Sequence, residues 1–100
     1  MITHVVLFRF KPENKDANLR EATRRLCAMV GKVPTLRSLE VGKHDAQPSP
    51  RACDLALITR FDDWAGLEDY AVHPFHEAVK SFLAGVIEAS HVVDFASEGP

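Results

Sequence analysis

Apolar side chains crowd Ile2 to Phe10, where β-branched and aromatic residues dominate, and this pattern predicts a first strand that Lys11-Pro12 ends. The period then changes. Over residues 13–31, Leu19, Ala22, Leu26, Met29 and Val30 recur at helical spacing, and Gly31 is placed to act as the C′ residue. Val33-Pro34 breaks the chain, because a residue before proline is driven out of the α region. Leu36 to Lys43 reads as a second strand, Asp45 to Ala52 as a loop around Gln47-Pro48-Ser49-Pro50, and Cys53 to Phe61 as a third strand. Asp62 or Asp63 is suited to cap a helix carrying Trp64, Leu67 and Ala71, and that helix must stop near His73. Pro74 is a natural first residue for another helix, in which Phe75, Val79, Phe82 and Val86 repeat. A last strand is expected from Ile87 or His91 to Ala96, followed by a tail over 98–100.

The order β-α-β-β-α-α-β is the ferredoxin-like, split βαβ pattern with its second helix broken in two. It predicts an α+β domain spanning residues 1–97, with a four-stranded antiparallel sheet and helices on one face. Strand side chains alternate between faces. One face collects His4, Val6, Phe8 and Phe10. The other collects Val5, Leu7, Ala56, Ile58, Val93 and Phe95. Helices cover a single face, so the second apolar face needs a cover of its own, and pairing of two sheets about a two-fold axis is the simplest. A homodimer through the sheet face is therefore expected.

Composition adds exclusions. The net charge of −2 gives no drive toward nucleic acid or an anionic membrane, and no apolar run approaches the ~20 residues of a spanning helix. An aliphatic open face also argues against RNA binding on the sheet, which needs exposed aromatic and basic residues there. The start of the chain lacks a cationic leader pattern, so a cytoplasmic location is expected. Cys27 and Cys53 have no CxxC spacing and read as reduced core thiols. Arg20, Arg24 and Arg25 read as a solvated helix face with Glu21 alongside, and Trp64, Phe75 and Phe82 as core.

The segment with chemical potential is Tyr70-Ala-Val-His73-Pro74-Phe-His76. His76 shares a helix face with Val79 and Leu83 and so points toward the sheet, whose facing surface carries His4 and Asp94. Asp94 is the expected partner of His76, since a carboxylate on an imidazole fixes its tautomer and makes it a better base. Tyr70 is placed to donate its phenol to a developing oxyanion. The bland alternative is that these side chains only satisfy helix-end backbone, and His73 is read that way. HxxH on an early helical turn lacks the third ligand expected of zinc.

Ile2-Thr-His-Val-Val-Leu-Phe-Arg-Phe-Lys11, the Tyr70-to-His76 motif, Val92-Val-Asp94-Phe95 and Leu36-Arg-Ser-Leu-Glu-Val-Gly42 together resemble the stress-responsive A/B-barrel (Dabb) family over nearly the whole chain. The resemblance implies a dimeric α+β barrel. It includes a cofactor-free plant enzyme, olivetolic acid cyclase, in which a histidine acts as base and a tyrosine assists. By motif these correspond to His76 and Tyr70, with His4 and Asp94 in support. Leu26 and Leu55 stand where that cyclase has a tyrosine and a histidine, so a more apolar pocket is implied. Some plant members bind a divalent ion through backbone carbonyls after the first helix. The matching stretch here is Val30-Gly-Lys-Val33-Pro-Thr-Leu36, which implies Mg²⁺ on the carbonyls of Val30, Val33 and Leu36.

These observations lead to an expectation of cofactor-independent, cyclase- or lyase-like acid/base chemistry on a small apolar carbonyl compound. The alternatives are a non-catalytic homodimer that binds a small ligand or serves a stress-related structural role, and, by fold analogy alone, a cofactor-free monooxygenase.

Overall fold

The computed structural model describes residues 1–97, so the tail expected over 98–100 lies outside the described residues. The elements are β1 (Ile2–Phe10), α1 (Lys15–Cys27), β2 (Ser38–Lys43), β3 (Leu55–Phe61), α2 (Trp64–Val72), α3 (Pro74–Val86) and β4 (Ile87–Ala96). The strands form one antiparallel sheet in the order β2-β3-β1-β4. This is the ferredoxin-like α+β architecture expected from the pattern.

The register fixes which residues share a face. One row on the helix side runs Leu39, Thr59, His4, Asp94, and the next runs Val41, Leu57, Val6, Val92. On the opposite side, Glu40, Ile58, Val5 and Val93 form a row beside Gly42, Ala56, Leu7 and His91. Val6, Phe8, Phe10, Leu57 and Phe61 are buried against Leu19, Ala22, Leu26, Val79 and Leu83 from α1 and α3. The core therefore sits between the helices and one face of β1 and β3. On the other face Leu7 is 40% exposed and Phe95 43%, with Val5, Ala56 and Ile58 half-buried.

Several expectations need correcting. α1 ends at Cys27, with Ala28 as its cap, rather than running to Gly31. Met29 N–H and Val30 N–H reach back to Leu26 and Cys27, so the chain tightens into three-residue turns there. Met29 is still buried, whereas Val30 is exposed, and Gly31 with φ 82° serves the following turn. Trp64 is exposed at the start of α2 rather than in the core, while Phe75 and Phe82 pack against the core as expected. Cys27 is exposed and Cys53 half-buried, both as free thiols. Val92, on the helix side of β4, is 58% exposed, because β4 is an outer strand and the helices stop short of it. The arginine-rich face of α1 is as read: Glu21 pairs with Arg24 and Arg25, and Arg25 lies 4.4 Å from the centre of the Phe82 ring.

Asp63 starts α2 by accepting the Gly66 N–H at 2.8 Å. Replacing a capping carboxylate with alanine removes that acceptor and typically costs ~1 kcal/mol. Asp63→Ala is therefore expected to lower stability by about 0.5–2 kcal/mol in urea unfolding with an unchanged m-value. An unaltered midpoint would show that this cap does not hold α2.

Candidate functional site

The motif around Pro74 follows from backbone accounting. A continuous helix would give the Ala71 carbonyl the N–H of Phe75. Pro74 has no N–H and disfavours helical geometry in the residue before it, so α2 stops at Val72 and His73 adopts extended backbone. Phe75 N–H instead donates to Nδ1 of His73 at 3.1 Å, which makes His73 the side-chain cap of α3, a structural turn residue as read from the sequence. The Ala71 carbonyl, freed by the break, lies 3.1 Å from Nδ1 of His76. A carbonyl only accepts, so Nδ1 of His76 carries the hydrogen, and in the neutral ring Nε2 keeps its lone pair.

That bond swings His76 against Tyr70. Their ring centres are 4.2 Å apart and tilted by 37°. Tyr70 also meets Phe61 at 5.0 Å and the edge of His4 at 5.9 Å, so it stands between the two imidazoles. It is only 1% exposed, and its hydroxyl has no hydrogen-bond partner among the described residues. An unsatisfied buried donor costs roughly 1–3 kcal/mol.

The surroundings assign opposite roles to these groups. Burial pushes the Tyr70 phenol well above its ordinary value, so it remains an O–H donor. Burial pulls His76 below the ordinary imidazole value of 6.5, against the opposing effect of the Ala71 carbonyl; Lys80 and His4 also lower it and Glu77 raises it. At neutral pH His76 is thus an unprotonated acceptor beside a protonated donor, the division that acid/base chemistry uses.

Asp94 does not hold His76. It lies directly across the sheet from His4 in the β1–β4 register, and its Oδ1 is hydrogen-bonded to Nδ1 of His4. The expected carboxylate–imidazole dyad exists, with His4 as its imidazole. Neighbour identity in a sheet depends on register, which sequence spacing does not give. Two contributors were not foreseen: the Ala71 carbonyl, signalled by the proline break, and Thr59, whose hydroxyl donates to the His4 carbonyl at 3.4 Å.

Leu26 and Leu55 are buried in the core. The turn after α1 would offer a metal backbone carbonyls in place of side-chain ligands. Val30 is exposed, Val33 is buried with its carbonyl already accepting Leu36 N–H at 3.1 Å, and Leu36 is half-buried. Among the described residues no group of three or more His, Cys, Asp or Glu could hold a metal ion. A cation in the turn would rest on carbonyls and water, and no chemical step is derived through it. A hollow of about 460 Å³, lined by Lys15, Lys43, His44 and Asp54 among others, shares no lining residue with the imidazole cluster. No helix among the described residues is long and apolar enough to cross a membrane.

Two outcomes follow for stability. Tyr70→Phe removes an unsatisfied hydroxyl and keeps the ring, so thermal unfolding is expected to stay unchanged or rise; a fall of several degrees would mean that the hydroxyl has a partner. For His76 the folded value lies below the unfolded one, so the unfolded chain binds the proton first. The stabilisation is complete above pH 6.5 and is lost as pH falls below it. The stability of the native protein relative to His76→Gln is expected to decline between pH 7.5 and 5, measured by urea unfolding, and a flat or rising difference would contradict this.

The stress responsive A/B barrel domain family matches residues 2–97. No curated protein matches the chain. Among solved structures, a dimeric ferredoxin-like protein of unknown function from Bacteroides fragilis is similar at 28% identity, covering 94% of this chain and 93% of its own, with a TM-score of 0.83. A Dabb family protein from Mesorhizobium loti is similar at 21% identity, covering 98% and 97%, with a TM-score of 0.79. The hydroxynitrile lyase of Passiflora edulis shares the fold at 14% identity, covering 98% and 94%, with a TM-score of 0.85. With the family match spanning all four strands and three helices, the chain belongs to the stress responsive A/B barrel domain family.

Proposed function

We propose that this protein is a homodimer whose protomers carry out cofactor-independent acid/base chemistry on a small, largely apolar carbonyl compound. The observation that carries the reading is the buried Tyr70 hydroxyl, without an acceptor among the described residues, beside an imidazole whose Nε2 is unprotonated. Nε2 of His76 takes a proton from the carbon next to a carbonyl. The C–H electron pair becomes the C=C bond of an enolate, and the Tyr70 O–H donates to the enolate oxygen. His4, its ring held by Asp94, supplies the polar end of the site, and Phe61 walls its apolar side. The proton returns from His76 to the product or to water, so the cycle needs no redox partner.

A small unactivated ketone, 4-phenylbutan-2-one, tests this. In D2O the protein is expected to speed deuterium uptake at the α-carbons, followed by proton NMR. His76→Gln keeps a donor for Ala71 but has no basic nitrogen, and is expected to lower the accelerated rate about 10²–10⁴-fold. Tyr70→Phe is expected to lower it about 10²–10³-fold. A second reading, a non-catalytic dimer, draws on the backbone bonds that His73 and His76 make at the helix break. It gains ground if His76→Gln lowers the melting temperature while exchange stays at the buffer rate in every variant.

The dimer reading is supported by the adjoining rows of Val5, Ile58, Val93, Leu7 and Ala56 and by Phe95, which helices leave uncovered, and by the dimeric description of the Bacteroides fragilis structure. Light scattering at micromolar concentration is expected to give twice the chain mass, and Leu7→Asp the single chain mass. A monomeric native protein would exclude sheet-face pairing.

A further inference from the structure

We infer that the second copy holds β4, and through it Asp94, in place on His4, so that this end of the site is complete only in the dimer. The inference rests on the homodimer reading. Its basis is the alternation of Val93, Asp94 and Phe95. Asp94 faces the helix side and bonds to His4, while the residues on either side of it face the open side, 55% and 43% exposed. Three consecutive residues thus serve the proposed interface, the site, and the interface again.

Among the described residues, no helix or loop side chain covers Val92 to Phe95. Among those same residues, β4 is an outer strand that pairs with β1 alone. The helices leave its other face bare too, since Val92 is 58% exposed on the helix side. The strand is held by its ladder to β1, by Lys11 N–H on the Val86 carbonyl at one end and by Ser97 N–H on the Met1 carbonyl at the other. The ladder also shifts register between Arg9 and Phe10. Ile87 packs against the core, but the part of the strand from Val92 to Phe95 is open to water on both faces, and such a segment belongs to the low-stability end of a fold and opens locally at small cost. When it opens, Asp94 leaves His4 and Nδ1 loses its acceptor.

The alternation commits the open side to one occupant, a second copy of this chain. Val93 continues the apolar row of Val5 and Ile58, Phe95 stands in the neighbouring row across from Thr3, and a two-fold related sheet presents the same residues in return. Assembly of the dimer and ordering of the His4–Asp94 pair then become one equilibrium, and protein concentration governs both.

The test compares the native protein, at a concentration where light scattering shows a dimer, with Leu7→Asp as a monomer. Leu7 lies on β1, on the opposite face from His4 and Asp94, so the change alters neither partner of the pair and touches it only through the dimer. Amide hydrogen exchange for Val92 to Phe95 is expected to be at least about tenfold faster in the monomer, with β3 amides little changed. Interface shielding alone could slow those amides, so the deciding signal is the His4 ring, which faces away from the interface. Its Nδ1–H resonance is expected to be sharp in the dimer and broadened by solvent exchange in the monomer. If Leu7→Asp does not fold, dilution of the native protein through its dissociation range, read by hydrogen-exchange mass spectrometry of residues 87–97 and by the His4 signal, gives the same comparison. An unchanged His4 signal in a verified monomer overturns the inference and leaves the dimer standing. A native protein that is monomeric at every concentration overturns both.

Discussion

Proline cannot donate a backbone hydrogen bond, and the site follows from that constraint at Pro74. The α2 ladder has to end, which frees the Ala71 carbonyl, and two side chains of the same short motif take up the strain on hydrogen bonding. His73 replaces the missing acceptor for Phe75 N–H. His76 replaces the missing donor for Ala71. The second replacement turns a structural repair into a chemical feature, because it fixes the hydrogen on Nδ1 and leaves Nε2 as a base. Tyr70, one turn earlier on α2, is carried inward by the same geometry and ends buried between the two imidazoles.

The second constraint is the alternation of side chains along the strands. β1 sends His4, Val6 and Phe8 toward the helices and Val5 and Leu7 the other way, so one strand builds both the site and the bare face. β4 does the same with Asp94 between Val93 and Phe95, but without helices over it. The difference in support between these two strands connects the apolar face to the polar pair: β1 is central and clamped, β4 is peripheral and is not.

Much of this was legible in the sequence. Period-two and helical spacings located the seven elements of the described residues, and Asp63, Pro74 and the stop at His73 marked both ends of α2 and the start of α3. The two apolar faces followed from alternation alone. The C-terminus of α1 was less legible: Met29 keeps the helical spacing and is buried, yet the backbone has already left the helix. Trp64 was misread because aromatic character does not reveal that the first turn of α2 projects past the core. Among the site residues, His76 and His4 lie on the faces that spacing implies, and Tyr70 stands between them, a place that spacing did not specify. Asp94 did not go to His76, since pattern assigns a face and only the β1–β4 register assigns a neighbour. The orphaned Tyr70 hydroxyl was invisible in the sequence because it is a property of packing.

The account stands on the hydrogen bond that Nδ1 of His76 donates to the Ala71 carbonyl, which leaves Nε2 of the neutral ring as an acceptor next to Tyr70. Nitrogen-15 NMR of the histidine rings at pH 8 reads this directly. His76 is expected in the Nδ1–H tautomer, with an unprotonated Nε2 shift, although the Nε2–H tautomer is the commoner one for free histidine. A His76 ring protonated on Nε2 would contradict the account, because Nδ1 would then face the Ala71 carbonyl without a hydrogen to donate and Nε2 would carry no lone pair to act as base.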